Sequence, residues 1–526
     1  MSPLLVLALS GCPDLAEQGN TGPTAAPART TYTVAAADTL PQVAPGVVLL
    51  ATLAADDTIE VSGSIVATLW EDIDGAEDDR YAFRYRLLDA AGMPLYTRST
   101  SGPVIVREFL AYYGDSSGYD ILGVFPELGS FAVQVPLLEG ATTVEFQFRQ
   151  DDGTYSTVGE YDLGRVEEDD VGLSDTVSDT ALLHEGGDPA QVLDIVILPD
   201  GYQTSELDAF HRDAASVSRA LLAQSPYSAW AGQVNVHRVD VASAESGASY
   251  DCVGTCEWRD TAFVSVFPLE IVNRLFHTAY RTEAVFQRDQ FAVARAASHV
   301  PWDIALVLVN TSHFGGFAVH YATATTGAGS WAVPVHELSH VIGQLGDEYQ
   351  SDECIRSDAL GLPANISASG TAPPWMHWVE DDTPLPTTSS GSHQDEVGTF
   401  AGAYNCRELF RPAASCAMNQ GGGEFCPVCA EAISRRIFRF ADPATDGAAE
   451  ADAEGATRFA LTGVIEGATV RWTLDGADVG TGATLLLPPA DVPEGKHLLV
   501  GTASVETALV REDGGDLSAS WSWRLE

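Results

Sequence analysis

The chain has 526 residues, 45% of them apolar, with 48 glycines and 27 prolines. That is too long for one core and composed like folded units joined by turn-rich segments, so about three domains are expected. The formal net charge is −47 and Lys496 is the only lysine, which excludes nucleic acid as a partner because no basic surface exists to displace its counterions. A solvated surface suited to high salt is the plain reading of this acidity. Calcium is the other cation it suggests, yet no regular calcium-loop pattern supports it.

In chain order, residues 1–18 read as a lipoprotein-type signal. A short apolar run, Leu4 to Leu9, leads into Leu9-Ser10-Gly11-Cys12, the form of a bacterial lipobox in which Cys12 is the lipid attachment point. No Lys or Arg precedes that run. The Thr/Ala/Pro-rich stretch 19–46 follows as a flexible linker. An exported protein is expected, either a cell-envelope lipoprotein or secreted, touching a membrane only through that anchor. No later apolar stretch is long enough to span a bilayer.

From 47 to 166, "TIEVSGSIVATLW", "RYAFRYRLLDAAGMPLYTRS", "SFAVQVPLL" and "ATTVEFQFRQDDGTYSTVGEYDL" alternate apolar with polar residues between Asp/Gly turns. This predicts an N-terminal β-sandwich. Residues 167–190 form an acidic linker. From 191 to 442 the rhythm becomes strand–helix–strand. "LDIVILPDGY" is a continuous apolar strand, and Leu207, Phe210, Ala214, Val217 and Leu221 lie at helical spacing behind a Ser205…Asp208 capping box. The strand "QVNVHRVDV", helical stretches around Leu269–Phe276 and Glu283–Ala297, and the buried strand "WDIALVLVN" follow. The order predicts an α/β domain with helices against a mainly parallel sheet. Residues 455–526 return to alternation and resemble a small Ig-like sandwich. The whole is a multidomain α+β chain.

Apart from Cys12, the cysteines are Cys252, Cys256, Cys354, Cys406, Cys416, Cys426 and Cys429. Seven is odd, so at most three disulfides form. Cys426-Pro427-Val428-Cys429 has the spacing of a redox pair or half a structural zinc site, but for an exported protein disulfide staples are the expected use.

The chemistry centres on "WAVPVHELSHVIGQLGDEYQ", residues 331–350. A random H-E-x-x-H should occur roughly once in sixty such sequences, so context must decide its meaning. Pro334 suits a helix start, where its missing N–H is no loss. His336 and His340, one turn apart, share a face and can meet one zinc ion. Glu337 lies on an adjacent face as the general base, drawing a proton from a zinc-bound water as it attacks a carbonyl. The third ligand usual six residues after the second histidine would be Gly346, which has no ligand atom. Asp347 is chosen instead, with Glu348 as the alternative or a supporting neighbour. Gly343 and Gly346 would let the chain leave the helix and curl back. An ordinary helix face with a capping acid would read similarly on the pentad alone.

The whole stretch HELSHVIGQLGDEY resembles the signature of the IgA-peptidase-type bacterial zinc metallopeptidases. So do "LDIVILPDGY", "VDVASAESG", "PWMHWVEDDTPLPT", "AYNCRELFRP" and "CAMNQGGGEFCPVC", in the same order, and the resemblance spans roughly 47–439. It implies a metzincin-like catalytic domain with one catalytic zinc. His336 and His340 match the family's ligating histidines, Glu337 its base, and Asp347 the acid of its L-x-D-E-Y extension. Met418 matches a methionine in a turn beneath the metal, a role for which Met376 competes. Where the family has glycine before the second histidine, this chain has Ser339. Tyr349, Tyr404 and Arg411 are oxyanion-stabilising candidates by chemistry. Asp200 and Glu245 belong to matching segments, and "FGGFAVHYA" (314–322) is read as a strand lining a substrate cleft, its glycines letting a peptide backbone approach closely.

The expected function is therefore an exported zinc metalloendopeptidase acting on protein or peptide substrates. The alternative is a catalytically silent surface-anchored binding protein that keeps the fold.

Overall fold

The computed structural model describes residues 34–36, 44–54, 58–69, 83–99, 130–150, 152–166, 176–251, 257–268, 286–287, 289–318, 320–328, 331–349, 362–404, 406–420, 423–452, 456–512, 515 and 517–526. The lipobox with Cys12, residues 167–175 of the acidic linker, the helix expected at Leu269–Phe276, and Cys252, Cys256 and Cys354 lie outside them. Several β-sheets and few helices make up the chain, around a central mixed α/β sheet.

The first region consists of two antiparallel sheets. One orders Ile59–Leu69, Ala44–Leu53 and Ser130–Pro136; the other orders Pro94–Ser99, Phe83–Asp89, Ala141–Arg149 and Tyr155–Asp162. Because side chains alternate across a strand, Phe83, Tyr85 and Leu87 point inward together. They meet Val47, Leu49, Phe131, Val133, Phe146 and Phe148 in one apolar core shared by both sheets.

The central sheet comprises β1 (Val177–His184), β2 (Leu193–Asp200), β3 (Val234–Val241), β4 (Ile304–Val309), β5 (Gly316–Ala318) and β6 (Ala322–Thr325). Their order is β5-β6-β4-β2-β3-β1, with β3, β2, β4 and β6 parallel and the two outermost strands antiparallel. β2, β3 and β4 are buried at every position, as strands covered on both faces must be. One face carries Ile195, Ile197, Leu306 and Leu308 against α1 (Leu207–Ala223), α3 (Ala332–Gly343) and α4 (Pro427–Ile437). The other carries Val196, Leu198, Val239 and Val307 against α2 (Gln290–Ala297). In α1, Phe210, Ala214, Val217 and Leu221 are buried, as their spacing predicts. The expected Ser205…Asp208 box does not open it: a tight 3-10 turn, Thr204–Glu206, comes first, Glu206 is the N-cap, and the Gln203 N–H donates to Glu206 Oε2 at 2.9 Å.

The flanking regions dock on this centre. Val48, Leu50 and Ile65 pack with Ala294 of α2, and Gln134 Nε2 donates to the Trp302 carbonyl at 2.9 Å. The last region pairs Asp446–Ala451, Thr457–Thr462 and Thr484–Leu487 in one sheet. A second sheet holds Ala468–Leu474, Ala477–Thr481, His497–Val505 and Ser518–Leu525, and Phe459, Trp472, Leu499 and Trp523 fill the core between the two. Val34–Ala36, inside the stretch expected as linker, pairs antiparallel with Trp523–Leu525. Glu431 of α4 accepts the N–H groups of Arg511 and Glu512 at 2.6 and 3.0 Å, tying this region to the centre.

Candidate metal centre

α3 is buried on nearly every side because it packs against β4, β5, β6, α1 and α4. Leu338 and Ile342 enter the core. Ser339, where a glycine is usual in the resembled signature, is fully buried and satisfied: its hydroxyl donates to the Val335 carbonyl at 2.7 Å and meets Tyr227 Oη at 2.8 Å. The helix ends at Gln344, whose φ of 51° and ψ of 46° are left-handed. The two glycines expected to provide that turn do a different job. A Cβ on Gly343 would lie 2.9 Å from Ile433 Cγ1, and one on Gly346 would lie 2.9 Å from Ile366 Cγ1. They are needed for space, and the non-glycine Gln344 bears the conformation that costs L-residues about 1–2 kcal/mol.

This exit swings Asp347 back to the helix. Asp347 Oδ1 lies 3.1 Å from His336 Nε2 and 3.3 Å from His340 Nε2, and the two Nε2 atoms are 3.1 Å apart. The other nitrogen of each ring faces a carbonyl, His336 Nδ1 to Ala417 O at 3.0 Å and His340 Nδ1 to Leu345 O at 2.7 Å. A carbonyl only accepts, so each Nδ1 must carry a proton, and in its neutral form each ring turns an Nε2 lone pair toward the other and toward a carboxylate. Three acceptors this close repel unless a cation or extra protons lie between them. A tetrahedral zinc with bonds near 2.1 Å would want ligand atoms about 3.4 Å apart, so the set fits such an ion with little adjustment. Tyr349 Oη donates to Asp347 Oδ2 at 2.8 Å, orienting the carboxylate, and Tyr404 N–H donates to the Asp347 main-chain carbonyl at 2.8 Å, fixing the backbone that carries it.

The electrostatics agree. Burial alone would raise Asp347, but the His340 charge and hydrogen bonds from both histidines hold it well below the usual carboxylate range. Burial works against charge on His340, yet Asp347 and the Leu345 carbonyl raise it overall. Glu337 is pushed up to about 8, chiefly by burial, with His336 opposing and Asp347 assisting. Among the described residues no side chain hydrogen-bonds its carboxylate. Instead it lies against Gly316 of β5, where a Cβ would come within 2.2 Å of Glu337 Oε1. The glycines of "FGGFAVHYA" were expected to admit a substrate backbone; Gly316 makes room for Glu337. Sequence reading missed this pairing, for which the sequence carries no signal beyond the glycine itself.

The remaining expected residues divide. Met418 is fully buried beside Ala417, whose carbonyl holds His336, and Met418 O accepts the Glu348 N–H at 2.8 Å. Met376 is 45% exposed. Arg411 is engaged with the carbonyls of Ala401, Gly402 and Ala413. Asp200 accepts from Thr261 Oγ1, Phe263 N and Ser265 N, and Glu245 accepts from Asp260 N, so both organise the loop after β3. Glu348 turns away from the histidines into a pocket with Cys416, Cys426 and Cys429. Those three cysteines are free, which corrects the expected disulfide use of the Cys426–Cys429 pair; Cys406 is disulfide-bonded.

Residues 181–393 match the family model of IgA Peptidase M64. That stretch of the chain is of the M64 family. It includes α3, Asp347 and Glu348, and the family implies hydrolysis of peptide bonds with the help of a metal. Met418 and the three free cysteines lie beyond the matched M64 stretch. No curated protein matches the chain. Among solved structures, the crystal structure of an FMN-binding beta-glucuronidase from Facaelibacterium prausnitzii L2-6 aligns over 92% of this chain and 75% of its own, at 11% identity and a TM-score of 0.11. A likeness that low carries no argument.

Proposed function

We propose that this protein is an exported zinc metalloendopeptidase in which His336, His340 and Asp347 hold the metal and Glu337 is the general base. One observation carries the reading: two imidazole lone pairs and a carboxylate oxygen converge within 3.3 Å, with each Nδ1 committed to a carbonyl. Zinc bound there would supply Lewis acidity, polarising a peptide carbonyl and acidifying water.

The rest is done by the chain's own groups. Tyr349 and Tyr404 keep Asp347 aimed, so the ligand set is held before any cation arrives. Glu337 is buried and its carboxyl holds a proton to about pH 8. A cation on the neighbouring ligands lowers that value by direct charge attraction, which makes Glu337 a base only when the site is loaded. It then takes a proton from the attacking water and returns it to the departing amine, so that peptide and water become acid and amine. β5 is the last strand of the sheet on the Glu337 side, a position that supports pairing with an extended peptide.

The two-sheet regions before and after the centre are read as a β-sandwich and an Ig-like module that present a metzincin-like catalytic domain. The lipobox-like sequence ending in Cys12 supports export.

The test is metal content together with cleavage of a mixed peptide library, for wild type and Glu337→Ala. Zinc in both proteins and cleavage by wild type alone is expected. Wild type without zinc after reconstitution, or a variant that still cleaves, refutes the assignment.

A further inference from the structure

Beside the histidine centre lies a second cluster that the peptidase reading leaves unused. Glu348, Cys416, Cys426 and Cys429 are all buried, and one ligand atom from each lies within 4.8 Å of every other. Cys416 Sγ and Cys429 Sγ are 3.7 Å apart, and Cys429 Sγ is 3.1 Å from Glu348 Oε1. A disulfide needs sulfurs at about 2.05 Å. A tetrahedral zinc with bonds of about 2.3 Å to sulfur needs them about 3.8 Å apart. The observed spacing is that of two ligands of one ion.

The surroundings point the same way. Glu348 Oε2 is buried with no hydrogen-bond partner, an omission that destabilises a closed interior unless something completes it. Glu348 Oε1 accepts from Asn365 Nδ2 at 3.0 Å, and Asn365 is itself locked to both backbone groups of Gly346. The Cys426 N–H approaches Cys416 Sγ at 3.4 Å, a donor that favours thiolate over thiol. Cys426 is the N-cap of α4 and Cys429 lies in its first turn, so the C-x-x-C spacing brings both sulfurs to one side.

We infer that Cys416, Cys426, Cys429 and Glu348 form a second, structural metal site suited to zinc, separate from the histidine centre. Its four protein ligands leave no open position, the arrangement of a structural site. It joins three separate pieces: the exit from α3, the start of the short helix Ala417–Gln420 and the start of α4. The segment 416–418 is shared, since Cys416 enters this cluster, the Ala417 carbonyl orients His336, and the Met418 carbonyl holds the Glu348 N–H. An ion on the sulfurs would therefore hold in place the backbone that orients one histidine. The site stands whether or not the histidine centre is catalytic.

The test uses the full chain, produced with zinc and separately with cobalt(II), as wild type and as the double variant His336→Ala, His340→Ala. Elemental analysis should find two ions in wild type and one in the double variant. With cobalt, the double variant should keep the thiolate-to-metal charge-transfer absorption that only sulfur ligands produce. One ion in both proteins, with that absorption in both, supports the cysteine site and instead refutes the metal role of the histidines. A well-folded double variant with no ion and no such absorption overturns the inference. So does a disulfide among Cys416, Cys426 and Cys429, read by mass after alkylation without reductant. Cysteine substitutions are avoided as the primary test because losing a structural ion would unfold the region.

Discussion

Gly316→Ala probes the catalytic reading from outside the metal ligands. The new methyl carbon would lie 2.2 Å from Glu337 Oε1, 2.8 Å from Cδ and 2.9 Å from Cγ. Ordinary van der Waals contact begins near 3.4 Å, so the carboxylate must retreat by roughly 1 Å. Three consecutive atoms of the side chain are too close, so turning the terminal carboxylate alone does not relieve the clash. A catalytic group misplaced by about 1 Å costs on the order of 100-fold in rate. Overpacking costs about 1–3 kcal/mol of stability, partly offset by the roughly 0.5–1 kcal/mol gained when a strand glycine becomes alanine. The metal ligands are untouched. The assay is kcat on a peptide found by library cleavage, with zinc content and melting temperature measured on the same preparation. Unchanged zinc, a melting shift of a few degrees and a kcat lowered about 100-fold are expected. Wild-type kcat with the same zinc content would show that the position of Glu337 does not matter to the reaction.

Glu337→Gln keeps the side chain's shape but not its basicity, so zinc should remain while kcat falls about 100- to 10,000-fold; metal loss in this variant would mean that Glu337 is a ligand. Tyr349→Phe removes the 2.8 Å bond to Asp347 Oδ2, and because Tyr349 is 41% exposed the loss of zinc affinity should sit near the lower end of about 10- to 100-fold, as read by competition with a chromophoric chelator. Ser339→Gly removes a buried hydroxyl bonded to Tyr227 and Val335; denaturant unfolding should register a loss of about 2–3 kcal/mol, and a neutral result would mean that Tyr227 finds another partner. The metal-free protein should also lose stability as pH rises. Glu337, raised to about 8, contributes stability that is full below its ordinary 4.5 and lost as pH climbs through 8, and His340, also raised, loses its contribution above its ordinary 6.5. Asp347 is depressed, so its contribution is already full across that window and disappears only in acid. Zinc should therefore raise the melting temperature more at pH 8 than at pH 6, in scans with and without chelator; equal shifts would refute the linkage.

The pairing of His336 with His340 was legible in the sequence because four residues along a helix is one turn, a relation set by backbone geometry alone. The buried strands β2 and β4 were legible for a similar reason, since runs as apolar as "LDIVILPD" and "IALVLV" have no polar face to offer water. Asp347 could be chosen from chemistry, but its arrival at the histidines depends on the left-handed Gln344, and no residue type at that position announces it. The glycines illustrate the same limit. Gly343 and Gly346 read as freedom of the backbone and Gly316 as room for a substrate chain, whereas packing against Ile433, Ile366 and Glu337 is what demands them. The cysteines depend most on tertiary structure: Glu348 and Cys429 are 81 positions apart, and the C-x-x-C spacing fits a disulfide, a redox pair or half a metal site equally well. Local periodicity determines which side chains share a face; only the packed chain decides which faces meet, because contacts between distant segments depend on every element that lies between them.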